Sequence, residues 1–172
     1  METGNKVIVI GCPGSGKSVF SRKLSDLTGL PLYHLDNLWW KEDKTHIPRE
    51  EFDLLLHELL KKDRWIIDGD YHRTYEVRMA SCDTIVFLDY DELSCLQGIQ
   101  KRIGKKREDI PWVEDHLDSE LVELVKNYRE KRRPYVYDLL DKYKDKKIVI
   151  LKSYEEADAW LNKERERYET VY

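Results

Sequence analysis

The sequence predicts an α/β fold with a mainly parallel sheet, and two observations carry that prediction. Short apolar runs alternate with amphipathic helical patterns along the whole chain, the sequence signature of strand–helix–strand units. The first apolar run, Val7-Ile8-Val9-Ile10, passes into a glycine-rich octapeptide, Gly11–Ser18, that opens a helical pattern. A strand, a tight glycine loop and a helix in that order are the opening unit of a doubly wound sheet.

The elements follow in order. Lys6–Ile10 is the first strand, and a helix runs from Lys17 to about Thr28. Gly29 closes it and Pro31 cannot continue it. Leu32–Leu35 is a short second strand. Pro48 opens a helix whose Phe52, Leu55, Leu56 and Leu59 keep the spacing of one buried face. Trp65–Ile67 and Thr84–Leu88 are the third and fourth strands. Asp91 caps the next helix, which buries Leu96, Ile99 and Ile103. Gly104–Asp118 is polar and basic, holds Pro111 and has no period, so it reads as a loop or mobile excursion. A helix from about Ser119 buries Leu121, Leu124, Val125 and Tyr128. Pro134 interrupts it before a second piece, Tyr135–Tyr143. Lys147–Leu151 is the fifth strand. Ser153 and Glu156 form a capping box for a last helix with Ala157, Trp160 and Leu161 inward, and the polar tail after Glu164 is expected to fray.

At 172 residues and 41% hydrophobic content, one domain spanning residues 1–172 can bury a core without disulfides or a structural metal. The 30 basic and 34 acidic residues leave a formal net charge of −4, which leans against a main role in gripping nucleic acid. Three cysteines, Cys12, Cys82 and Cys95, are an odd number without a C-x-x-C pair, so neither a disulfide framework nor a zinc site is indicated. Cys12 reads as a small spacer with some redox sensitivity. No apolar run approaches membrane-spanning length and no signal-peptide region precedes the first strand. A cytoplasmic protein is therefore expected.

Gly11-Cys12-Pro13-Gly14-Ser15-Gly16-Lys17-Ser18 matches the phosphate-loop pattern G-x-x-x-x-G-K-[ST] at every fixed position. Glycines let the backbone curl so that successive N–H groups converge on phosphate oxygens. The helix that begins there adds the positive end of its dipole. Lys17 can reach β- and γ-phosphates, and the Ser18 hydroxyl can join a magnesium shell. Gly11 to Ser18, with Val19 in the first helical turn, are the expected contacts to ATP or another NTP.

Ligands of open parallel sheets sit at the carboxyl ends of the strands, and here those ends are acidic. The second strand ends at Asp36, the third at Asp68-Gly69-Asp70 and the fourth at Asp89. Asp68, after an apolar triplet, is the expected magnesium-organising carboxylate, with Asp89 as its competitor. Asp36 can accept a proton or a hydrogen bond from an acceptor hydroxyl, or can be a solvated loop acid. His34 reads as a structural histidine. Trp39-Trp40 are either core anchors or an aromatic wall for a flat substrate. Phosphoryl transfer also calls for positive charge on the equatorial oxygens. Arginines fall in three groups: Arg73 and Arg78; Arg102 with Arg107; and Arg129 with Arg132 and Arg133.

On Gly11–Ser18, His34-Leu35-Asp36, Trp65–Tyr71, Arg73, Phe87-Leu88-Asp89 and Asn127–Pro134, the chain resembles the nucleoside monophosphate kinase (adenylate-kinase-like) proteins. Within that group it is most similar to the bacterial topology modulation (FlaR-like) proteins. The resemblance implies a three-layer P-loop NTPase fold with a five-stranded sheet in the order 2-3-1-4-5. It places an acceptor-binding region at 36–62 and a short lid at 104–118. It makes Arg73 an acceptor-side arginine, Arg102 the arginine entering the lid, and Arg129 and Arg133 arginines of the helix leaving it. Asp70 departs from the family pattern, because an acid there disfavours a phosphorylated acceptor.

The expected function is transfer of the γ-phosphoryl of magnesium–ATP to a small molecule such as a nucleotide or nucleoside. Lys17, Ser18 and Asp68 would hold the donor. Asp36 and Arg73 would address the acceptor. Arg102, Arg129 and Arg133 would neutralise the moving group. The alternatives are a nucleotide-binding regulator of DNA topology or gene expression, and a simple NTP hydrolase.

Overall fold

In the computed structural model, which describes residues 3–171, β1 (Lys6–Gly11) is the central strand. Its Val7–Ile10 side chains are fully buried, as they must be in a strand covered on both faces. β3 (Trp65–Asp68) lies on one side and β4 (Thr84–Leu88) on the other. β2 (Leu32–His34) and β5 (Lys147–Leu151) form the edges. All pairs are parallel and the order is β2-β3-β1-β4-β5, as expected. Register decides what shares the functional edge. Val9 pairs with Asp68 and His34 with Asp68, so the ends of three strands converge where β1 turns into its loop.

Helices α1 (Lys17–Thr28), α3 (Arg49–Leu60), α5 (Glu92–Lys101) and α6 (Ser119–Lys131) begin within one residue of the predicted starts. Gly29 ends α1 in the left-handed conformation, with its N–H on the Ser25 carbonyl. Asp91 accepts from Ser94 N at 2.7 Å and Asp118 from Glu120 N at 2.8 Å, so both helices start on carboxylate caps.

Several expectations change. The second strand stops at His34, and Leu35–Trp39 is a short helix, α2, which places Asp36 in a helical turn rather than a loop. Leu55 and Leu124 are exposed. In α3, Leu60 joins Phe52, Leu56 and Leu59 on the buried face instead. His72–Thr74 forms a 3-10 turn that runs into α4 (Tyr75–Ser81), a helix too short to leave a periodic signal. α7 spans Arg133–Lys142, so the break precedes Pro134, which occupies its first turn, where its missing N–H costs nothing. α8 (Tyr154–Val171) stays helical past Glu164. Glu164 is buried and ion-pairs with Arg167, and Thr3 donates to it at 2.6 Å, which anchors the last turns. Residues 104–118 are irregular, as predicted. No helix among the described residues is long and apolar enough to cross a membrane.

Candidate active site

The phosphate loop leaves β1 at Gly11 and enters α1 at Lys17. Gly14 (φ 84) and Gly16 (φ 78) are left-handed, a conformation open to glycine at little cost. A Cβ on Gly14 would lie 2.9 Å from Ile99 N and 3.0 Å from the Cys95 carbonyl carbon, so the loop packs directly on α5. Lys17 Nζ donates to the carbonyls of Gly11 at 2.8 Å and Cys12 at 3.0 Å, and Ser15 N donates to Cys12 O at 3.1 Å. Ser15 Oγ is fully buried with no protein partner. An orphaned buried hydroxyl and a lysine bonded only to the loop's own carbonyls fit a bound phosphate chain. Ser18 follows in the first turn of α1, and Val19 is exposed beside it.

Asp68 ends β3 buried, and His34 Nδ1 lies 2.9 and 2.8 Å from its two carboxylate oxygens. Burial alone would lower the His34 pKa, but the bond to Asp68 and its charge outweigh that and raise it. The structural reading of His34 thus has a concrete partner. Asp36 accepts from the Tyr71 hydroxyl at 2.6 Å. Desolvation pushes the Asp36 carboxyl above the ordinary carboxylate range. Tyr71 and Lys17 pull it down, while Asp109 and Asp68 add to the rise. Tyr71 itself sits at φ 31 and stacks on Phe52, with ring centroids 5.1 Å apart. Trp39 stacks on His46 at 4.1 Å and meets Phe52 edge-on at 5.5 Å, which makes it a core anchor of the region after β2.

The arginines divide. Arg133 holds Asp89 through Nε at 2.7 Å and Nη2 at 2.9 Å, and Tyr137 donates to the same carboxylate at 2.7 Å. Burial favours protonated Asp89, yet these bonds outweigh it and hold its pKa below the usual value. Asp89 is therefore an anchor for Arg133. Arg129 and Arg133 line one cleft with Cys12, Tyr90, Cys95 and Tyr128, beside the phosphate loop. Arg102, at the end of α5, lies 3.0 Å from Glu114. Arg73 is not brought to the loop: it is exposed and makes a two-pronged pair with Asp53 of α3, at 3.0 and 2.7 Å.

Three features were missed in the sequence. Arg78 is fully buried and donates to the carbonyls of Gly69 and Asp70 at 3.0 and 2.6 Å, stapling the turn after β3. Arg132 pairs with Asp70 at 3.2 Å, and Tyr75 donates to Asp70 as well, so the acid that departs from the family pattern is neutralised locally. The 104–118 segment is pinned by its own charges. Arg107 pairs with Asp109 at 2.5 Å and Glu114 at 3.0 Å, and Gly104 N donates to Glu114 O at 2.6 Å. It also rests on the region after β2, through Asn37 Nδ2 to Glu108 O at 3.0 Å and Trp112 edge-on to Trp40. In the sequence, the basic run Arg102–Arg107 precedes the acids Glu108, Asp109 and Glu114, an order with no period to announce this folding back.

The sheet and loop together define a five-stranded parallel α/β fold whose central strand opens into a phosphate-loop motif. Solved structures similar to it include kinases named for small molecules. A shikimate kinase from Acinetobacter baumannii, solved in complex with shikimate, aligns over 99% of this chain and 92% of its own, at TM-score 0.62 and 16% identity. A gluconokinase from Sinorhizobium meliloti aligns over 99% of both chains at TM-score 0.56 and 15% identity. A shikimate kinase from Aquifex aeolicus covers 91% of this chain and 92% of its own at TM-score 0.57 and 21% identity. At these identities the likeness establishes the fold. No family model and no curated protein matches, and none of these three structures is a topology modulation protein.

Proposed function

We propose that this chain is an ATP-dependent phosphotransferase that moves the γ-phosphoryl group of magnesium–ATP to a hydroxyl of a small molecule. One observation carries the proposal: the phosphate loop leaves the carboxyl end of β1, and Asp36 stands just past the carboxyl end of β2 in the same parallel sheet, its carboxylate accepting from the Tyr71 hydroxyl at 2.6 Å. A loop alone would support nucleotide binding. A carboxylate tuned upward by burial at the same end of the sheet supplies a general base closer to working pH.

In this reading the backbone of Gly11–Gly16 and the side chain of Lys17 hold the donor phosphates. Lys17 exchanges its bonds to the Gly11 and Cys12 carbonyls for phosphate oxygens. Ser18 and Asp68 would hold magnesium, Asp68 with the carboxylate that His34 Nδ1 orients. Bound magnesium would neutralise charge on the phosphate oxygens. Asp36 takes the proton of the acceptor hydroxyl, with Tyr71 orienting the carboxylate. Arg129 and Arg133 reach the phosphates from the cleft beside Cys12. Arg102 does so when it leaves Glu114, and Arg73 addresses the acceptor when it leaves Asp53.

The resemblance to nucleoside monophosphate kinases puts nucleotides and nucleosides in the acceptor panel. The solved neighbours, a shikimate kinase and a gluconokinase by name, add hydroxy acids. The test is phosphate transfer from magnesium–ATP to that panel. Transfer that Asp36→Asn removes supports the proposal. ATP hydrolysis that no acceptor stimulates contradicts it.

A further inference from the structure

We infer that Tyr154 is a positioning residue for the phosphate loop, acting on it from the far end of the chain. The inference rests on the nucleotide reading of that loop. Tyr154 opens α8 just after β5, and its hydroxyl donates to the Gly14 carbonyl at 2.6 Å, across 140 positions of sequence. Its ring also covers the loop: a Cβ on Gly16 would meet Tyr154 Cε1 at 3.2 Å. The ring is itself braced by buried Tyr90, edge-on at 4.7 Å between centroids. On another side of Gly14 stands α5, where a Cβ on Gly98 would come 2.7 Å from the Gly14 carbonyl carbon. The Gly14 peptide is thus held between α5 and α8.

The consequence follows from peptide geometry. In a trans peptide the carbonyl and the following N–H point in opposite directions, and the chain has no cis bond among the described residues. Tying Gly14 O to Tyr154 turns Ser15 N–H the other way, into the loop, where it donates to Cys12 O. Lys17 Nζ donates to that same Cys12 carbonyl. A phosphate oxygen seated in the loop replaces one carbonyl for both donors, and the Ser15 donor is already aimed. Without the hydroxyl tie, the Gly14 peptide keeps only its packing on α5, and at a glycine with φ 84 it can tilt away from the orientation that aims Ser15 N–H. The binding-competent fraction then falls, and apparent affinity falls with it.

The test is Tyr154→Phe, which removes one oxygen and keeps the ring. Calorimetric titration compares magnesium–ATP with magnesium tripolyphosphate, which has no base or ribose. Both are expected to weaken by the same factor, about threefold to tenfold for one lost hydrogen bond. The melting temperature of the ligand-free protein should move by no more than about 3 °C. Unchanged tripolyphosphate affinity overturns the inference, whether or not ATP weakens, because the hydroxyl then does not act through the loop. If the wild-type protein binds neither ligand, the nucleotide reading itself fails and the inference falls with it.

Discussion

Gly98→Ala is the perturbation for which the structure and helix propensity disagree in sign. In an open helix interior, alanine in place of glycine is favourable by about 1 kcal/mol. Gly98 lies inside α5, but its missing side chain faces the phosphate loop. The added methyl would sit 2.7 Å from the Gly14 carbonyl carbon and 2.9 Å from its Cα. Ordinary contact between carbons is about 3.5–4.0 Å, so helix and loop must part by about 1 Å. Both sides of the clash are backbone, and no rotamer change relieves it. Overpacking of this kind costs about 1–3 kcal/mol, against the gain of about 1 kcal/mol in propensity. The net loss, up to about 2 kcal/mol, lowers Tm by up to about 8 °C in a domain of this size. Function should suffer more, because displacing a positioning element by about 1 Å can cost about a hundredfold in rate. The assay is thermal unfolding by circular dichroism together with ATP affinity. A variant at least as stable as the wild type, binding ATP equally well, refutes the packing of α5 on the loop.

Further consequences concern single side chains. Asp36 has its pKa raised in the fold, so its contribution to stability is full at low pH and is lost as pH rises from about 4 through the raised value. Asp36→Asn should therefore match the wild type in Tm near the bottom of that range and exceed it at pH 7, while transfer falls at least about a hundredfold; a lower Tm at pH 7 counts against a destabilised carboxylate. Arg73→Ala removes an exposed pair with Asp53 and should change Tm by no more than about 3 °C, while KM for the acceptor rises and ATP affinity holds; an unchanged acceptor KM would remove Arg73 from the acceptor side. Asp70→Asn frees Arg132 from its carboxylate partner and should lower KM for acceptors carrying a phosphate or carboxylate by about tenfold; no change in selectivity would remove Asp70 as a determinant of acceptor charge.

What could be read from the sequence was what depends on short spacing. Val7–Ile10 and Thr84–Leu88 declare strands because a strand buried on both faces is a continuous apolar run, and the half-buried edge strand Lys147–Leu151 keeps the same apolar run over Ile148–Leu151. The loop declares itself through glycines that need positive φ and a lysine at a set distance. The helix at Leu35–Trp39 and α4 were not legible, since five and seven residues are too few for a 3.6-residue period to show. Partners across the fold were also hidden. Nothing in short spacing singles out Gly98 or Tyr154, and Arg78 reads as a candidate for the phosphoryl group rather than as a buried staple. Their roles depend on Gly14 and on the turn after β3, which only the tertiary structure brings to them. The partner of Arg73 was hidden in the same way: Asp53 of α3, twenty positions away, offers it a two-pronged pair that only the tertiary structure brings together.

The central claim is that the phosphate loop serves transfer to an acceptor. The measurement is label transfer from γ-labelled magnesium–ATP to a panel of nucleosides, nucleoside monophosphates and hydroxy acids, run beside Lys17→Ala with circular dichroism on both proteins. The account predicts at least one labelled acceptor with the wild type, and a folded variant whose transfer is at least about a hundredfold lower. Equal labelling by the two proteins, or label released only as inorganic phosphate, would contradict it.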